Sequence, residues 1–247
     1  MTDSTVPRMS ENGTQTVNTG GIRLSYRSWG EGDGVPVVLL HCLGEDGEDW
    51  RGPLISALVG EHPVHALDLR GHGESDWPGS YAMDDFVGDL RGFLDELGIG
   101  KAILVGHSFG SVVAYLFAQQ HPGRVDRLVL EETAAMRPVR PPQEVPEPPP
   151  GTPAFDWEVK VQWTRQRNDP DPRWWERLEA VTAPTLLVGG GNGSHLPQED
   201  LRLMAERMPD ARVLTVDGAG HLVHEARPME FTRAVLDFLK ESLLKES

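Results

Sequence analysis

The sequence has little cysteine and little positive charge, and it has no long apolar run. Cys42 is the only cysteine among 247 residues, so no disulfide can form within the chain. Lysine and arginine together number 23 against 38 aspartates and glutamates, which gives a net charge of −15. Because neutralising phosphates requires clustered basic side chains, we expect neither nucleic acid nor an anionic membrane surface as a partner. No apolar stretch approaches the roughly 18 residues that a transmembrane helix requires, so we expect no membrane insertion.

The first residues also lack an apolar segment of the kind that a secretory signal contains. They read MTDSTVPRMSENGTQT and are mostly polar. We therefore expect residues 1–13 to form a flexible tail and the protein to be cytoplasmic. Residues 14–247 have the length of one domain with a single core. Nothing in the sequence indicates an oligomeric state.

Short apolar runs alternate along the chain with helical patterns. Seven such runs predict strands, at residues 22–28, 35–41, 64–69, 102–105, 127–131, 185–188 and 212–216. Helical patterns occur at residues 50–59, 83–97, 108–120, 198–208 and 229–244. This alternation predicts an α/β fold, with helices on both faces of a mainly parallel sheet. Ligands in such folds bind beyond the carboxyl ends of the strands, so the residues that follow each strand are the candidates for function.

One segment interrupts the alternation. Residues 137–151 read RPVRPPQEVPEPPPG, and proline at this density blocks both helix interiors and sheet ladders. Four tryptophans follow before the chain rejoins the sheet at Thr185: Trp157, Trp163, Trp174 and Trp175. We expect residues from about 133 to 178 to form a short cap, rich in proline and tryptophan, over the carboxyl edge of the sheet.

The stretch VGHSFGS, residues 105–111, places Ser108 between two glycines. An apolar strand, KAILV, precedes it, and an apolar helix, SVVAYLFAQQH, follows it. A strand, a sharp turn and a helix around Gly-x-Ser-x-Gly form the nucleophile elbow, which exposes a serine hydroxyl at the start of the helix. We interpret Ser108 as a nucleophile, although the glycines alone would also suit an ordinary turn.

Five separated motifs resemble those of the α/β-hydrolase fold family, and the resemblance extends from Ile22 onwards. The motifs are VVLLHCLG, ALDLRGHGESD, VGHSFG, VLEE and GAGHLVHEARPMEF. The resemblance implies a mostly parallel, eight-stranded sheet flanked by helices, with Ser108 as nucleophile. The histidine comes last in the family's order of catalytic residues, which implies His221 as the base. His224, three residues further on, is the alternative.

The catalytic acid is the residue at which this chain departs from most of the family. Most relatives have an aspartate after the strand that corresponds to residues 185–188, but here that loop reads GGGNGSHLPQ. Its Asn192 cannot stabilise an imidazolium as an anion does. Some branches of the family instead have the acid after the preceding strand, where this chain has Glu131 and Glu132. Neighbouring strand residues point to opposite faces, so only one can reach the histidine. The resemblance favours Glu132, with Glu131 and then Asp217 as alternatives.

The family's oxyanion donors are two backbone N–H groups, one after the nucleophile and one in the loop after the third strand. The resemblance therefore implies Phe109 and Leu43. Cys42 stands where relatives usually have glycine, so the backbone there must adopt an ordinary φ or the side chain must narrow the pocket floor. We interpret Cys42 as a packing residue and His41 as part of the scaffold.

These residues predict a serine hydrolase that cleaves a carboxylic ester or related acyl bond through an acyl-enzyme intermediate. Serine at position 108 argues against dehalogenase and epoxide hydrolase chemistry, for which the family uses a carboxylate nucleophile. The tryptophans of the cap favour a small, apolar substrate. A lactonase, thioesterase or acyltransferase would use the same residues, and a protein that only binds a ligand is a further alternative. No zinc or phosphate-loop spacing occurs, so we expect no metal and no cofactor.

Overall fold

The computed structural model describes residues 13–241, so the predicted tail lies, apart from Gly13, outside the described residues. The strands are β1 (Gln15–Thr19), β2 (Ile22–Trp29), β3 (Val37–Leu40), β4 (Val64–Leu67), β5 (Ala102–His107), β6 (Val125–Glu131), β7 (Thr185–Gly189) and β8 (Ala211–Thr215). The α-helices are α1 (Pro53–Leu58), α2 (Met83–Glu96), α3 (Phe109–Gln120), α4 (Trp157–Asn168), α5 (Arg173–Glu176), α6 (Gln198–Arg207), α7 (Val223–Ala226) and α8 (Pro228–Glu241).

The strands form one eight-stranded sheet in the order β1-β2-β4-β3-β5-β6-β7-β8. Strand β2 is antiparallel to both β1 and β4, and every other pairing is parallel. The central strands β3 and β5 are buried along their whole length, which explains why they read as unbroken apolar runs. The predicted α/β fold with a mostly parallel sheet is confirmed.

Two parts of the structure differ from the prediction. Strand β1 was not predicted, because QTVNT contains a single apolar residue and lies at the edge of the sheet. The helix predicted over residues 50–59 is instead a 3₁₀ turn, Gly47–Trp50, followed by the short helix α1. Pro53 causes this division, because proline has no N–H to donate and is accepted only in the first turn of a helix.

Helices cover both faces of the sheet with apolar side chains. On one face α2 buries side chains three and four residues apart, namely Met83, Phe86, Val87, Leu90, Phe93 and Leu94. They pack with α3 in one core cluster. On the other face α1 packs with Phe231, Val235 and Phe238 of α8 in a second cluster. The two clusters hold the carboxyl ends of β5 and β6 in place between them.

The predicted cap leaves the sheet after β6 and contains α4 and α5. Its proline run is mostly exposed and lacks helix and strand. Helix α4 is joined to the body of the protein by two glutamines: Gln162 Oε1 accepts from Tyr81 N at 2.8 Å, and Gln166 Oε1 accepts from Met83 N at 2.9 Å. These bonds give α4 a defined position beside the carboxyl edge of the sheet. Among residues 13–241 no helix has the length and apolar character needed to cross a bilayer.

Candidate active site

Ser108 occupies a strained turn between β5 and α3. Its backbone has φ 48° and ψ −105°, a combination that a residue with a side chain rarely adopts and that costs about 1–3 kcal/mol. Ser108 N donates to Glu131 O at 2.8 Å, and Ser108 O accepts from Val112 N at 3.2 Å. The turn leaves the side chain partly exposed at the start of α3.

The glycines on either side of Ser108 are required by close backbone approach. A Cβ on Gly106 would lie 2.6 Å from Ser111 N, and a Cβ on Gly110 would lie 2.2 Å from Leu40 O. Both distances are well below contact, and the atoms concerned belong to the backbone of β3 and α3. The Gly-x-Ser-x-Gly spacing is therefore a packing requirement of this turn.

His221 lies between β8 and α7, with its ring against a buried carboxylate. His221 Nδ1 is 3.2 Å from Glu132 Oε2. Glu132 follows β6 directly and has a positive φ of 49°. Only 2% of Glu132 is exposed. Burial raises the pKa of Glu132, but hydrogen bonds from His221, Ser194 and Gly190 together lower it below its ordinary value. The carboxylate is therefore ionised beside the imidazole.

The loop after β7 supplies hydrogen-bond donors to Glu132. Gly190 N donates to Glu132 Oε1 at 2.6 Å, Ser194 Oγ donates to Oε2, and Gln198 Nε2 donates to Oε1 at 3.3 Å. Sequence reasoning missed Ser194 and Gln198, because one serine and one glutamine in a polar loop have no recognisable pattern. Asn192, from the same loop, is exposed.

One cavity of about 540 Å³ brings the predicted residues together. Ser108, Phe109, Glu132 and His221 all line it. Its other side is formed by the first residues of the predicted cap and by α4, from which Trp163 projects. The remaining three tryptophans of the cap do not contribute to this lining.

The loop after β3 is held by His41. His41 Nε2 accepts from Leu69 N at 2.9 Å, so Nδ1 has the proton and donates to Cys42 O at 2.7 Å. Burial lowers the pKa of His41, which keeps it neutral. Cys42 adopts an ordinary φ, and the left-handed residue of this loop is Gly44, with φ 97°. The side chain at position 42 is therefore accommodated without backbone strain.

The two predicted oxyanion donors are free to bind a ligand. Within residues 13–241 neither Leu43 N nor Phe109 N donates a hydrogen bond to a protein acceptor. Phe109 is the first residue of α3, where N–H groups have no partner inside the helix. Phe109 lines the cavity, whereas Leu43 does not contribute to its lining.

Two family models match the chain and together span most of it. One is described as the alpha/beta hydrolase fold and matches residues 35–148, and the other is described as a TAP-like protein and matches residues 156–246. The chain belongs to the α/β-hydrolase fold family.

Its relatives are hydrolases of several kinds. The sn-1-specific diacylglycerol lipase ABHD11 of Danio rerio is 25% identical over 96% of this chain and 89% of its own length. Epoxide hydrolase 3 of Siraitia grosvenorii is 43% identical, but over 46% of this chain and 36% of its own length. The solved structure of a thermophilic esterase from Thermogutta terrifontis with malate bound has a TM-score of 0.78 and 26% identity, covering 92% of this chain and 96% of that one. The chain is a hydrolase of the α/β family.

The alternative acid and the alternative base of this hydrolase contact each other, away from the cavity. Glu131 Oε2 is 2.8 Å from His224 Nδ1, and Glu131 Oε1 accepts from His224 N at 2.9 Å. His224 Nε2 is 3.3 Å from Asp49 Oδ1. Neither Glu131 nor His224 lines the cavity that contains Ser108. Asp217, the remaining alternative, is exposed.

His107 connects this buried cluster to the loop of His221. His107 Nε2 donates to the backbone O of His221 at 2.9 Å, and its Nδ1 is 3.7 Å from Asp49 Oδ2. Burial lowers the pKa of His224, but bonds to Asp49 and Glu131 outweigh burial and raise it to about 9. Burial opposes protonation of His107 too, but the nearby side chains of Asp49 and Cys42 bring its pKa well above its ordinary value. Two imidazolium ions thus balance two carboxylates.

The same cluster brings together side chains of the types that bind metals. Cys42, Asp49 and His107 each have one potential ligand atom within 4.8 Å of the others, as do His107, Glu131 and His224. In the second group, His224 Nδ1 and Glu131 Oε2 already contact each other at 2.8 Å.

The residues after β4 hold the loops behind the cavity. Asp68 Oδ1 accepts from Arg27 Nη1 and from Gly47 N, both at 2.8 Å. Arg70 forms a bidentate pair with Asp89, with both bonds at 2.6 Å. These buried charges are fully paired and lie outside the cavity lining, which is consistent with a bracing role.

Substitution of Gly110 tests whether close backbone approach requires glycine in the turn at Ser108. Gly110→Ala should lower the free energy of unfolding by roughly 2–4 kcal/mol, because the new Cβ would collide with Leu40 O. Gly88→Ala in α2 is the matched control, since nothing lies within 4 Å of a Cβ there. Urea unfolding measures both. Equal stability of Gly110→Ala and the wild type would contradict the packing explanation.

The stability of the protein should depend on pH through the protonation of His224. The pKa of His224 is about 9 in the folded protein against an ordinary value of 6.5. Its protonation therefore contributes up to about 3 kcal/mol, complete below pH 6.5 and lost as the pH rises through 9.

Glu131→Gln should remove part of this stabilisation, roughly 1–3 kcal/mol at pH 7, because Asp49 still contacts His224, and it should make the fall in stability between pH 6.5 and 9 shallower. Glu230→Gln, an exposed carboxylate of α8, should behave as wild type. Urea unfolding at several pH values measures all three proteins. Parallel pH profiles for Glu131→Gln and wild type would refute the role of this pair.

Proposed function

We propose that the protein is a serine hydrolase that cleaves an ester or related acyl bond through an acyl-enzyme intermediate. One observation supports this above all: Ser108, His221 and Glu132 line one cavity, and the imidazole is hydrogen-bonded to the carboxylate. A serine hydroxyl is a weak nucleophile and needs an adjacent base. The three side chains are the types that supply nucleophile, base and the anion that stabilises the protonated base.

The contact between His221 and Glu132 supports Nε2 of His221 as the nitrogen that accepts the proton. Because Nδ1 donates to Glu132, Nε2 is the nitrogen available to take the proton of Ser108. Ser108 Oγ then attacks the acyl carbonyl, and His221 returns the proton to the leaving group. Water enters, gives a proton to the same nitrogen and attacks the acyl carbon, and His221 then passes that proton to Ser108 Oγ as the acid leaves. Glu132 remains ionised throughout and stabilises the imidazolium.

Backbone N–H groups would hold the negative oxygen that forms during each attack. Phe109 N and Leu43 N are the candidates, since neither has a protein acceptor among residues 13–241. Each such donor contributes about 3 kcal/mol to stabilising the transition state. The strained backbone of Ser108 also favours catalysis over simple binding, because strain of this kind persists where function requires it.

Ester cleavage is the reaction that the relatives support best. The Danio rerio relative is named a lipase and the Thermogutta terrifontis protein an esterase. The epoxide hydrolase covers less than half of this chain, and serine rather than a carboxylate stands at position 108. We further propose a small acyl compound as the partner, rather than nucleic acid, and a cytoplasmic location, in keeping with a net charge of −15 and a single cysteine.

Two substitutions test the proposal. With an activated ester such as p-nitrophenyl butyrate, Ser108→Ala should abolish the burst and lower turnover by about 10⁴-fold or more, because no nucleophile remains. Glu132→Gln should lower turnover by about 10²–10⁴-fold, because the imidazolium loses its anionic neighbour. Stopped-flow release of nitrophenol measures both.

Exposed residues of the same type serve as controls. Ser56→Ala and Glu199→Gln, both at exposed positions, should retain wild-type turnover. Unchanged melting temperatures would show that the losses at Ser108 and Glu132 are chemical. A folded wild-type protein that neither hydrolyses activated esters nor reacts with a fluorophosphonate would instead support a protein that only binds a ligand.

A further inference from the structure

A positively charged side chain in the cavity, that of Arg167, forms neither an ion pair nor a hydrogen bond with the residues that the structure describes. Arg167, in the last turn of α4, lines the same cavity as Ser108 and His221. Among residues 13–241 its Nε is buried without a hydrogen-bond partner. Burial alone lowers the pKa of Arg167, with no neighbouring carboxylate to oppose it. Burying part of an unpaired cation costs free energy, so an anion bound in the cavity beside the guanidinium would offset that cost.

The other charges around the cavity are already matched. Arg137 forms an ion pair with Asp200, and both line the cavity. Glu132 is engaged by His221 and by the loop after β7. Arg167 therefore contributes one unmatched positive charge, in a chain whose net charge is −15. A guanidinium pairs with carboxylate or phosphate oxygens through two hydrogen bonds, and its single positive charge matches the single negative charge of one carboxylate.

Aromatic rings connect this guanidinium to the nucleophile. Arg167 lies over the ring of Trp163, one turn earlier in α4, at 5.8 Å from the ring centre. Trp163 packs edge-on against Phe109, the residue after the nucleophile, with ring centres 5.1 Å apart. Gln162 and Gln166 attach the helix to the body of the protein. The cation thus has a fixed position relative to Ser108.

We propose that Arg167 binds a carboxylate of the substrate, so that the hydrolase acts on the ester, lactone or thioester of a dicarboxylic acid. The inference rests on the proposed function, because it takes Ser108 as the group that attacks the acyl carbon. A dicarboxylic acid derivative replaces the apolar substrate that the tryptophans of the cap predict. Of those four tryptophans, Trp163 lines the cavity, and its ring lies beneath the guanidinium of Arg167. The substrate carboxylate would form two parallel hydrogen bonds with the guanidinium.

Matched esters test this inference. The p-nitrophenyl half-esters of succinate, glutarate and adipate are compared with the neutral butyrate, pentanoate and hexanoate esters of equal acyl length. For the best-fitting length, wild type should favour the anionic ester in kcat/KM by roughly 100-fold. Arg167→Gln should bring that ratio near one, and Arg167→Lys should restore part of it because it keeps the charge.

A neighbouring arginine is the control. Arg165 is on the same helix with 64% of its side chain exposed, so Arg165→Gln makes the same charge change outside the cavity and should keep the wild-type ratio. Arg167→Gln should also melt no lower than wild type, because it removes an unpaired buried charge. A lower melting temperature together with an unchanged ratio would assign Arg167 a structural role and overturn the inference.

A binding measurement separates the inference from the proposed function. Calorimetry of glutarate with Ser108→Ala protein does not require catalysis, and binding should disappear in the double variant Ser108→Ala/Arg167→Gln. Absence of glutarate, succinate and adipate binding in the single variant would overturn the inference. Binding without any Ser108-dependent turnover would retain the anion site and refute the hydrolase mechanism.

Discussion

The contact between the buried carboxylate of Glu132 and the imidazole of His221 is the interaction on which the rest of the site depends. It joins the end of β6 to the loop after β8, and the loop after β7 supports it through Gly190 and Ser194. Within residues 13–241, the non-glycine residues with positive φ are Ser108 and Glu132. Backbone strain is thus confined to the ends of two neighbouring strands, where it aims a hydroxyl and a carboxylate into one cavity.

Two adjacent glutamates lie in different surroundings. Glu132 faces the cavity, whereas Glu131 pairs with His224 in a buried cluster with Asp49 and His107. The cluster is not remote from the cavity, because His107 precedes Ser108 and donates to the backbone of His221. Charge pairing in the cluster therefore helps to define the position of His221.

The sequence predicts those features that depend on local pattern. Unbroken apolar runs indicated the buried strands, and glycine spacing indicated the strained turn at Ser108. Features that depend on partners far along the chain had no such pattern. In the sequence Ser194 is one polar residue in a polar loop, and only the fold brings it beside a buried carboxylate. Arg167 is likewise an ordinary helical arginine in the sequence, and only the fold leaves its Nε buried without a hydrogen-bond partner among residues 13–241. Strand β1 escaped prediction because an edge strand needs little apolar sequence.

The central claim is that the hydroxyl of Ser108 is acylated. The most direct measurement is mass spectrometry of protein quenched within milliseconds of mixing with an activated ester, followed by peptide mapping. We predict one acyl group on the peptide that contains Ser108, formed in the burst and removed during turnover. Turnover without such an adduct, or an adduct on Cys42 instead, would contradict it.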